Sequence, residues 1–167
     1  GASQQVSDGV LRLKVAAHAE GGRAGRETMR PIQNRGFRAA VAFRAGPALM
    51  ARPGAAWAGL RVADVNGRVF SVSFDGGAYA MSVGERSSPG SRTMQLRHAQ
   101  GDEGESWHTL GLRYDFFGAG QVTVLLDDGE LQRYSLDLQD FRLGVFVEAD
   151  PGVAADAEFR EVSCHEK

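Results

Sequence analysis

The chain has 167 residues, 43% of them hydrophobic, with 22 Gly, 5 Pro, one Cys and a formal net charge of -2. A chain of this size buries roughly two-thirds of its unfolded surface, so one core suffices without a metal or disulfide staple, and the single Cys164 forms no internal bridge. No apolar run reaches the ~18 to 20 residues of a membrane-spanning helix and no charged segment leads into the apolar core of a signal peptide, although Gly1-Ala2-Ser3 resembles a trimmed or engineered start, which leaves room for a secretion signal already removed.

In chain order, residues 1–7 read as a flexible N-terminal segment and residues 8–167 as one domain. Apolar and polar residues alternate in VLRLKV (10–15), FRAAVAF (37–43), LRV (60–62), VFSVSF (69–74), YAMSV (79–83), TMQLRH (93–98), WHTLGLRY (107–114), VTVLL (122–126), YSLDL (134–138), FRLGVFV (141–147) and AEFREV (157–162). Period two is the signature of half-buried strands. Between these runs stand Asn66-Gly67, Asp75-Gly76-Gly77, Pro89-Gly90, Gly118-Ala119-Gly120, Asp128-Gly129 and Asp150-Pro151-Gly152, which suit the positive or preset φ of a tight reversal. The pattern predicts an all-β fold, a two-sheet antiparallel β-sandwich of the jelly-roll kind with ten or eleven strands, with a small closed barrel as the rival. Residues 18–35 carry no strand signal and are expected to form a loop. Residues 99–106 form an acidic turn whose Asp102, Glu103 and Glu105 lack the spacing of a calcium loop.

The near-neutral total conceals a division. Residues 1–61 carry ten Lys/Arg against three Asp/Glu, and residues 62–167 nine against eighteen, so the two parts are +7 and -9. Seventeen of the nineteen basic residues are Arg, which points to a GC-rich genome. A nucleic-acid surface would need a clustered basic face with aromatics, and no such motif occurs.

Parity separates the faces of the strands. One parity collects Phe37, Val41, Phe43, Leu60, Val62, Phe70, Val72, Phe74, Tyr79, Met81, Val83, Met94, Leu96, Leu110, Leu112, Val122, Val124, Leu126, Phe141, Leu143, Val145 and Val147, the expected interior. The other holds Arg38, Ala40, Ala42, Arg44, Gly59, Arg61, Ala63, Ser71, Ser73, Asp75, Ala78, Ala80, Ser82, Gln95, Arg97, Gly111, Arg113, Gly144 and Glu148. A solvated face usually carries longer side chains, and Gly inside strands commonly marks a close approach. Something is therefore expected against this face: a ligand in a groove, a covering loop such as 18–35, or another domain.

The order of DGVLRL (8–13), MRPIQNRGFRAAVAFR (29–44), WAGLRVAD (57–64), SWHTLGLRY (106–114), VTVLLDDGEL (122–131), LGVFVEA (143–149) and AEFREV (157–162) resembles the concanavalin A-like, laminin-G-like jelly-roll modules. It is most similar to the C-terminal β-sandwich of β-xylosidase and arabinofuranosidase type glycoside hydrolases. The resemblance spans nearly the whole chain through short, degenerate pieces, and fold does not fix function. It implies a secreted or cell-surface module that binds an oligo- or polysaccharide, or that buttresses a catalytic domain of the same or another chain. Rings stacked on sugar faces and polar groups bonding hydroxyls would carry such binding, which makes Trp57, Arg61, Asp64, Tyr79, Arg97, Trp107, Arg113 and Glu148 the candidate contacts. Tyr79 shares parity with Met81 and suits the core, and Trp107 suits an edge-packing ring. The resemblance also implies a structural Ca²⁺, with Asp8 and Asp156 as its ligands.

Catalytic sandwiches of the laminarinase kind carry paired carboxylates about 5 Å apart on one strand face, as Glu-x-Asp-x-Glu. No such strand occurs here: Asp102-Glu103-Gly104-Glu105 lies between glycines, and Glu148-Ala149-Asp150 is ended by Pro151. RETMR (26–30) faintly resembles the Arg-Glu-Leu-Arg strand of jelly-roll polysaccharide lyases, but neither their Gln-x-His strand nor their Tyr-Phe-Lys segment follows. His18, His98, His108 and His165 lack metal-ligand spacing, and His108 alternates with Leu110 and Leu112 as a hydrogen-bonded core histidine would. Neither a Gly-x-Ser-x-Gly elbow nor a phosphate-binding loop is present. The sequence favours a noncatalytic carbohydrate-binding or accessory module. The alternatives are a freestanding hydrolase or lyase that uses the small-residue, Arg-rich face with Glu148 or Asp75 as acid or base, and a protein–protein interaction domain.

Overall fold

The computed structural model describes residues 2–27, 36–86, 88–100, 105–116 and 120–166. Among them run the strands β1 (Ala2–Ser7), β2 (Val10–Val15), β3 (Gly22–Glu27), β4 (Phe37–Ala45), β5 (Ala56–Asp64), β6 (Val69–Phe74), β7 (Ala78–Val83), β8 (Arg92–His98), β9 (His108–Asp115), β10 (Gln121–Leu126), β11 (Gly129–Ser135), β12 (Phe141–Ala149) and β13 (Ala155–Glu166), with one short helix, α1 (Pro47–Ala51). They form two antiparallel sheets, of seven strands in the order β1-β2-β13-β4-β9-β10-β11 and of six in the order β3-β12-β5-β6-β7-β8. The all-β sandwich expected from alternation is the observed fold. No helix among the described residues is long and apolar enough to cross a membrane.

The predicted interior parity fills the space between the sheets, except that Val83 and Leu96 are half-buried and Met94 is 45% exposed. Aromatic rings tie the two layers together. Phe37 of β4 lies 4.6 Å from Phe141 of β12 and 5.8 Å from Tyr114 of β9, and Phe43 of β4 lies 5.8 Å from Phe74 of β6. Each fully buried Phe contributes about 1.5 to 3 kcal/mol of hydrophobic stabilisation. The charge division along the sequence is resolved by pairing across it. Arg12 and Arg44 meet Glu158, Arg23 and Arg61 meet Glu85, and Arg38 meets Asp128, each joining a base of the first 61 residues to an acid of the remainder.

The strands exceed the expected ten or eleven because β1 and β3 carry no alternation. All six residues of β1 are exposed, so the segment expected to be flexible is instead an edge strand held by its ladder to β2. In β3 only Ala24 is buried, and Gly25 stands opposite the buried Phe146 of β12, so backbone pairing rather than burial makes the strand. Residues 28–35 of the expected loop, and with them part of RETMR, lie outside the described residues, as do Asp102 and Glu103. β11 also begins earlier than the YSLDL run. Asp127 and Asp128 both take left-handed φ, 49° and 66°, and reverse the chain at once.

Asp8 and Asp156 do not come together. Asp8 sits in the β1–β2 turn before Val10, whereas Asp156 is opposite Lys14, four residues along β2 and so about 13 Å away at the rise of a strand. The Asp156 carboxylate accepts bonds from Ala48 N at 2.9 Å and Leu49 N at 3.4 Å, which docks α1 and seats Leu49 in the core. One ion bridging both aspartates is incompatible with this geometry, and no His/Cys/Asp/Glu group able to hold a metal occurs among the described residues. Cys164 is exposed and unbridged.

Candidate ligand-binding face

The outer face of the six-stranded sheet collects the small, polar parity of β3, β12, β5, β6, β7 and β8. Register sets it out in rows. One runs Glu27, Gly144, Arg61, Ser71, Ser82 and Thr93; the next Gly25, Phe146, Gly59, Ser73, Ala80 and Gln95; and a third opens with Arg23, Glu148 and Trp57. The glycines answer to neighbouring strands and not to a ligand. A Cβ on Gly59 would be driven into the Val72 carbonyl oxygen, and one on Gly144 would stand 2.8 Å from the Arg26 carbonyl oxygen.

Among the described residues a cover over this face exists. It is the connection from β7 to β8, whose Glu85 and Arg86 reach back across the sheet. Glu85 forms ion pairs with Arg61 and, at 3.6 Å, with Arg23. The Arg86 guanidinium lies 4.4 Å over the Trp57 ring, 3.5 Å from the Asp75 carboxylate, and donates to Ser73 Oγ at 3.4 Å. Trp57 is left 4% exposed, so it offers no stacking platform while Arg86 is in place. Asp75 is occupied twice over, because it also accepts Gly77 N and Ala78 N at 2.9 and 2.8 Å and so shapes its own turn.

Beside the Glu85 pair a groove of about 460 Å³ opens along β3, β12 and β5, lined by Arg23, Gly25, Arg26, Glu27, Arg61, Gly144, Val145 and Phe146. Three cations face one carboxylate in this lining. Arg26 has the inward parity of edge strand β3 and is exposed at its rim. The Nε of Arg61 is buried and has no hydrogen-bond partner.

Of the candidate contacts, Trp57, Arg61 and Glu148 share this face, and the others lie elsewhere. Tyr79 is fully buried, 4.9 Å from Phe74. Arg97 belongs with it. An extra residue in β8 puts Gln95 opposite Ala80 but Arg97 opposite Tyr79, and this bulge turns Arg97 to the inner side, 5.5 Å over the Tyr79 ring. Asp64 ends β5 and accepts Asn66 N and Arg68 N at 2.9 and 2.8 Å and Gln139 N at 3.2 Å, a turn-shaping role. Trp107 and Arg113 stand on the opposite sheet. The guanidinium groups of Arg160 and Arg44 lie over the Trp107 ring at 4.0 and 4.8 Å, and Arg113 bonds Asp115 at 3.2 Å. Burial works to raise the Glu158 carboxyl, but its bonds from Arg44 and Arg12 prevail and hold it below the usual carboxylate range.

His108 is half-buried and hydrogen-bonded, with Nε2 3.0 Å from Ser106 Oγ and Nδ1 2.7 Å from Asp127 Oδ2. Asp127 also accepts Thr109 N at 2.8 Å, so the same set ties the β10–β11 turn to β9.

The Tyr79 hydroxyl has no hydrogen-bond partner, and burial, opposed by Arg97, pushes its phenol up to about 12. An unfolded chain releases that proton near pH 10 while the folded chain retains it. The stability tied to Tyr79 is therefore intact below pH 10 and lost as pH rises toward 12. Tyr79→Phe is expected to leave stability at pH 7 within about 1 kcal/mol of the native value. Urea unfolding at pH 9 and above pH 11 should show a smaller alkaline loss for the variant; an equal loss would contradict this account.

No protein-family model matches the chain, and neither does any curated protein. Solved structures do. An endo-β-1,4-glucuronan lyase from the fungus Trichoderma reesei superposes with a TM-score of 0.69 at 10% identity, covering 100% of this chain and 87% of the other. A family 7 alginate lyase bound to product gives 0.69 at 11% identity, with 97% and 82% covered, and the Emp47p carbohydrate recognition domain 0.67 at 9%, with 99% and 86% covered. At such identities the likeness concerns the fold alone: the chain has the two-sheet jelly-roll β-sandwich architecture of these structures.

Proposed function

We propose that this sandwich is a noncatalytic carbohydrate-binding or accessory module of an extracellular glycan-processing system, with the outer face of the six-stranded sheet as its contact surface. The observation that carries the reading is the groove beside Glu85. It sets Arg23, Arg26, Arg61 and Glu27 around Gly25 and Gly144, suited to bonding hydroxyl or acidic groups, and no Tyr or His lines it among the described residues. The structural neighbours give support at the level of fold, since their names speak of polysaccharide cleavage and of carbohydrate recognition. In this reading the partner is an oligo- or polysaccharide, met alone or beside a catalytic domain like that of the β-xylosidases. Trp57 and Glu148 flank the groove and Arg61 lines it.

A glycan array combined with reducing-sugar and unsaturated-product assays tests this reading. Binding without turnover is the expected outcome. Arg61→Met should weaken an identified glycan about tenfold or more, the size of a lost charge-assisted hydrogen bond. Unchanged affinity in that variant would remove the groove from the proposal, and turnover would make the protein an enzyme.

One observation favours a second reading. Ser106, His108 and Asp127 are bonded in the order hydroxyl, imidazole, carboxylate, which is the order of a nucleophilic relay. The turnover assays therefore include an aryl acetate. Hydrolysis that vanishes in Ser106→Ala would support an esterase, and no hydrolysis leaves the relay as the clasp between the β10–β11 turn and β9.

A further inference from the structure

We propose that Arg61 and Arg23 form a binding site for the carboxylate of a uronic-acid residue, and that Glu85 fills this site in the free protein as a tethered stand-in. The inference deepens the glycan-binding reading and rests on it.

The site is now occupied by a carboxylate, whose Oε1 meets both Arg61 and, at 3.6 Å, Arg23. Both arginines also line the open groove, so a sugar lying along β3, β12 and β5 would bring its own acid group to the same two guanidinium ions. Without Glu85 the lining carries Arg23, Arg26 and Arg61 against Glu27, a surplus of positive charge in search of an anion. Arg61 holds a further donor in reserve, its buried and unpartnered Nε. A planar carboxylate that meets a guanidinium with both oxygens satisfies more of these donors than a neutral hydroxyl does.

The stand-in is built to be displaced. The Glu85 side chain is 31% exposed, and those of Arg23 and Arg61 are 40% and 16%, so the Arg23 pair is the more solvated and the weaker of the two. Gly84 and Gly90 take left-handed φ of 88° and 86° at the two ends of the connection, conformations that glycine adopts without strain. Arg86 follows Glu85 directly, so a backbone movement that withdraws Glu85 would also part Arg86 from Asp75, Ser73 and Trp57 and uncover that ring beside the groove. A tethered competitor acts through its effective concentration, about millimolar for a short flexible link, and lowers the apparent affinity of any external carboxylate. Specificity follows, since a neutral sugar does not compete for the arginines.

Calorimetric titration of trigalacturonate and xylotriose into the native chain and Glu85→Gln is the test. Trigalacturonate should bind Glu85→Gln at least tenfold more tightly than the native chain, xylotriose should show no such gain, and Arg61→Met should abolish the gain. A second readout uses the native loop in a Trp107→Phe background, where acrylamide quenching reports Trp57 alone and should rise as trigalacturonate binds. Equal affinity of native chain and Glu85→Gln for trigalacturonate, an equal gain for xylotriose, or binding with unaltered quenching would each overturn the proposal. If trigalacturonate binds neither protein while the array shows a neutral glycan bound, the carboxylate site falls and the glycan module stands. A blank array as well would dispose of both.

Discussion

Gly59→Ala is expected to destabilise the protein by about 3 kcal/mol or more, at the upper end of what one added methyl does in a packed interior. Gly59 lies in β5 between β12 and β6, opposite Phe146 on one side and Ser73 on the other. The new Cβ would be driven into the Val72 carbonyl oxygen and would stand 2.9 Å from Ser73 Cα, both backbone atoms of a strand that is itself fixed on its far edge by β7. Neither β5 nor β6 can retreat without stretching a ladder. The matching substitution Gly144→Ala meets the Arg26 carbonyl and the Glu27 Cβ instead, on edge strand β3, which has one free side. Gly144→Ala should therefore cost distinctly less. Urea unfolding would show a large drop in midpoint for Gly59→Ala with little change in slope. A drop no larger than that of Gly144→Ala would contradict the crowding described here.

Asp64→Ala is expected to cost about 3 kcal/mol, because it deprives three backbone N–H groups of their acceptor at once. Two of those donors, Asn66 and Arg68, belong to the turn that joins β5 to β6; the third, Gln139, belongs to the segment entering β12. Water can re-satisfy the exposed turn in part. Asp64 as a residue is only 9% exposed, so the cavity left behind is not freely solvated. Asp64→Asn keeps an acceptor oxygen and should recover much of the loss. If Asp64 touched glycan, as its type and position in WAGLRVAD suggest, the alanine variant would lose affinity with its melting temperature unchanged. The geometry calls for the opposite pattern.

What alternation revealed and what it concealed have physical reasons. FRAAVAF and FRLGVFV were legible because one face of β4 and of β12 packs into the core, and burial imposes period two on residue type. GRAGRE was illegible because β3 buries a single alanine. Parity put Arg61 and Glu148 on one face, where the structure has them, since they lie on paired strands with regular ladders, and Trp57 opposite Glu148 joins them. It failed at Arg97, where TMQLRH alternates smoothly in sequence but the bulge around Leu96 exchanges the faces. Glu85 and Arg86 carried no pattern at all. Gly84 and the Ser-Pro-Gly run around them announce a loop, but where its head lands depends on how the sheet curves beneath it. Arg23, Arg26 and Glu27 were hidden for the same reason as their strand.

The place of β13 in the seven-stranded sheet governs how the chain reaches its fold. β2 and β4 both take β13 as a neighbour, yet β13 begins only at Ala155, so each of the two earlier strands keeps a bare edge until residues 155–166 have been made. Its pairings close long loops before they are rewarded, which places folding among the slow, non-local cases. During that wait the open edges of β2 and β4 are templates for any other extended segment, including those of a second unfinished chain. Refolding yield should accordingly rise steeply on dilution, and the partly made chain is the form most in need of protection from its own copies.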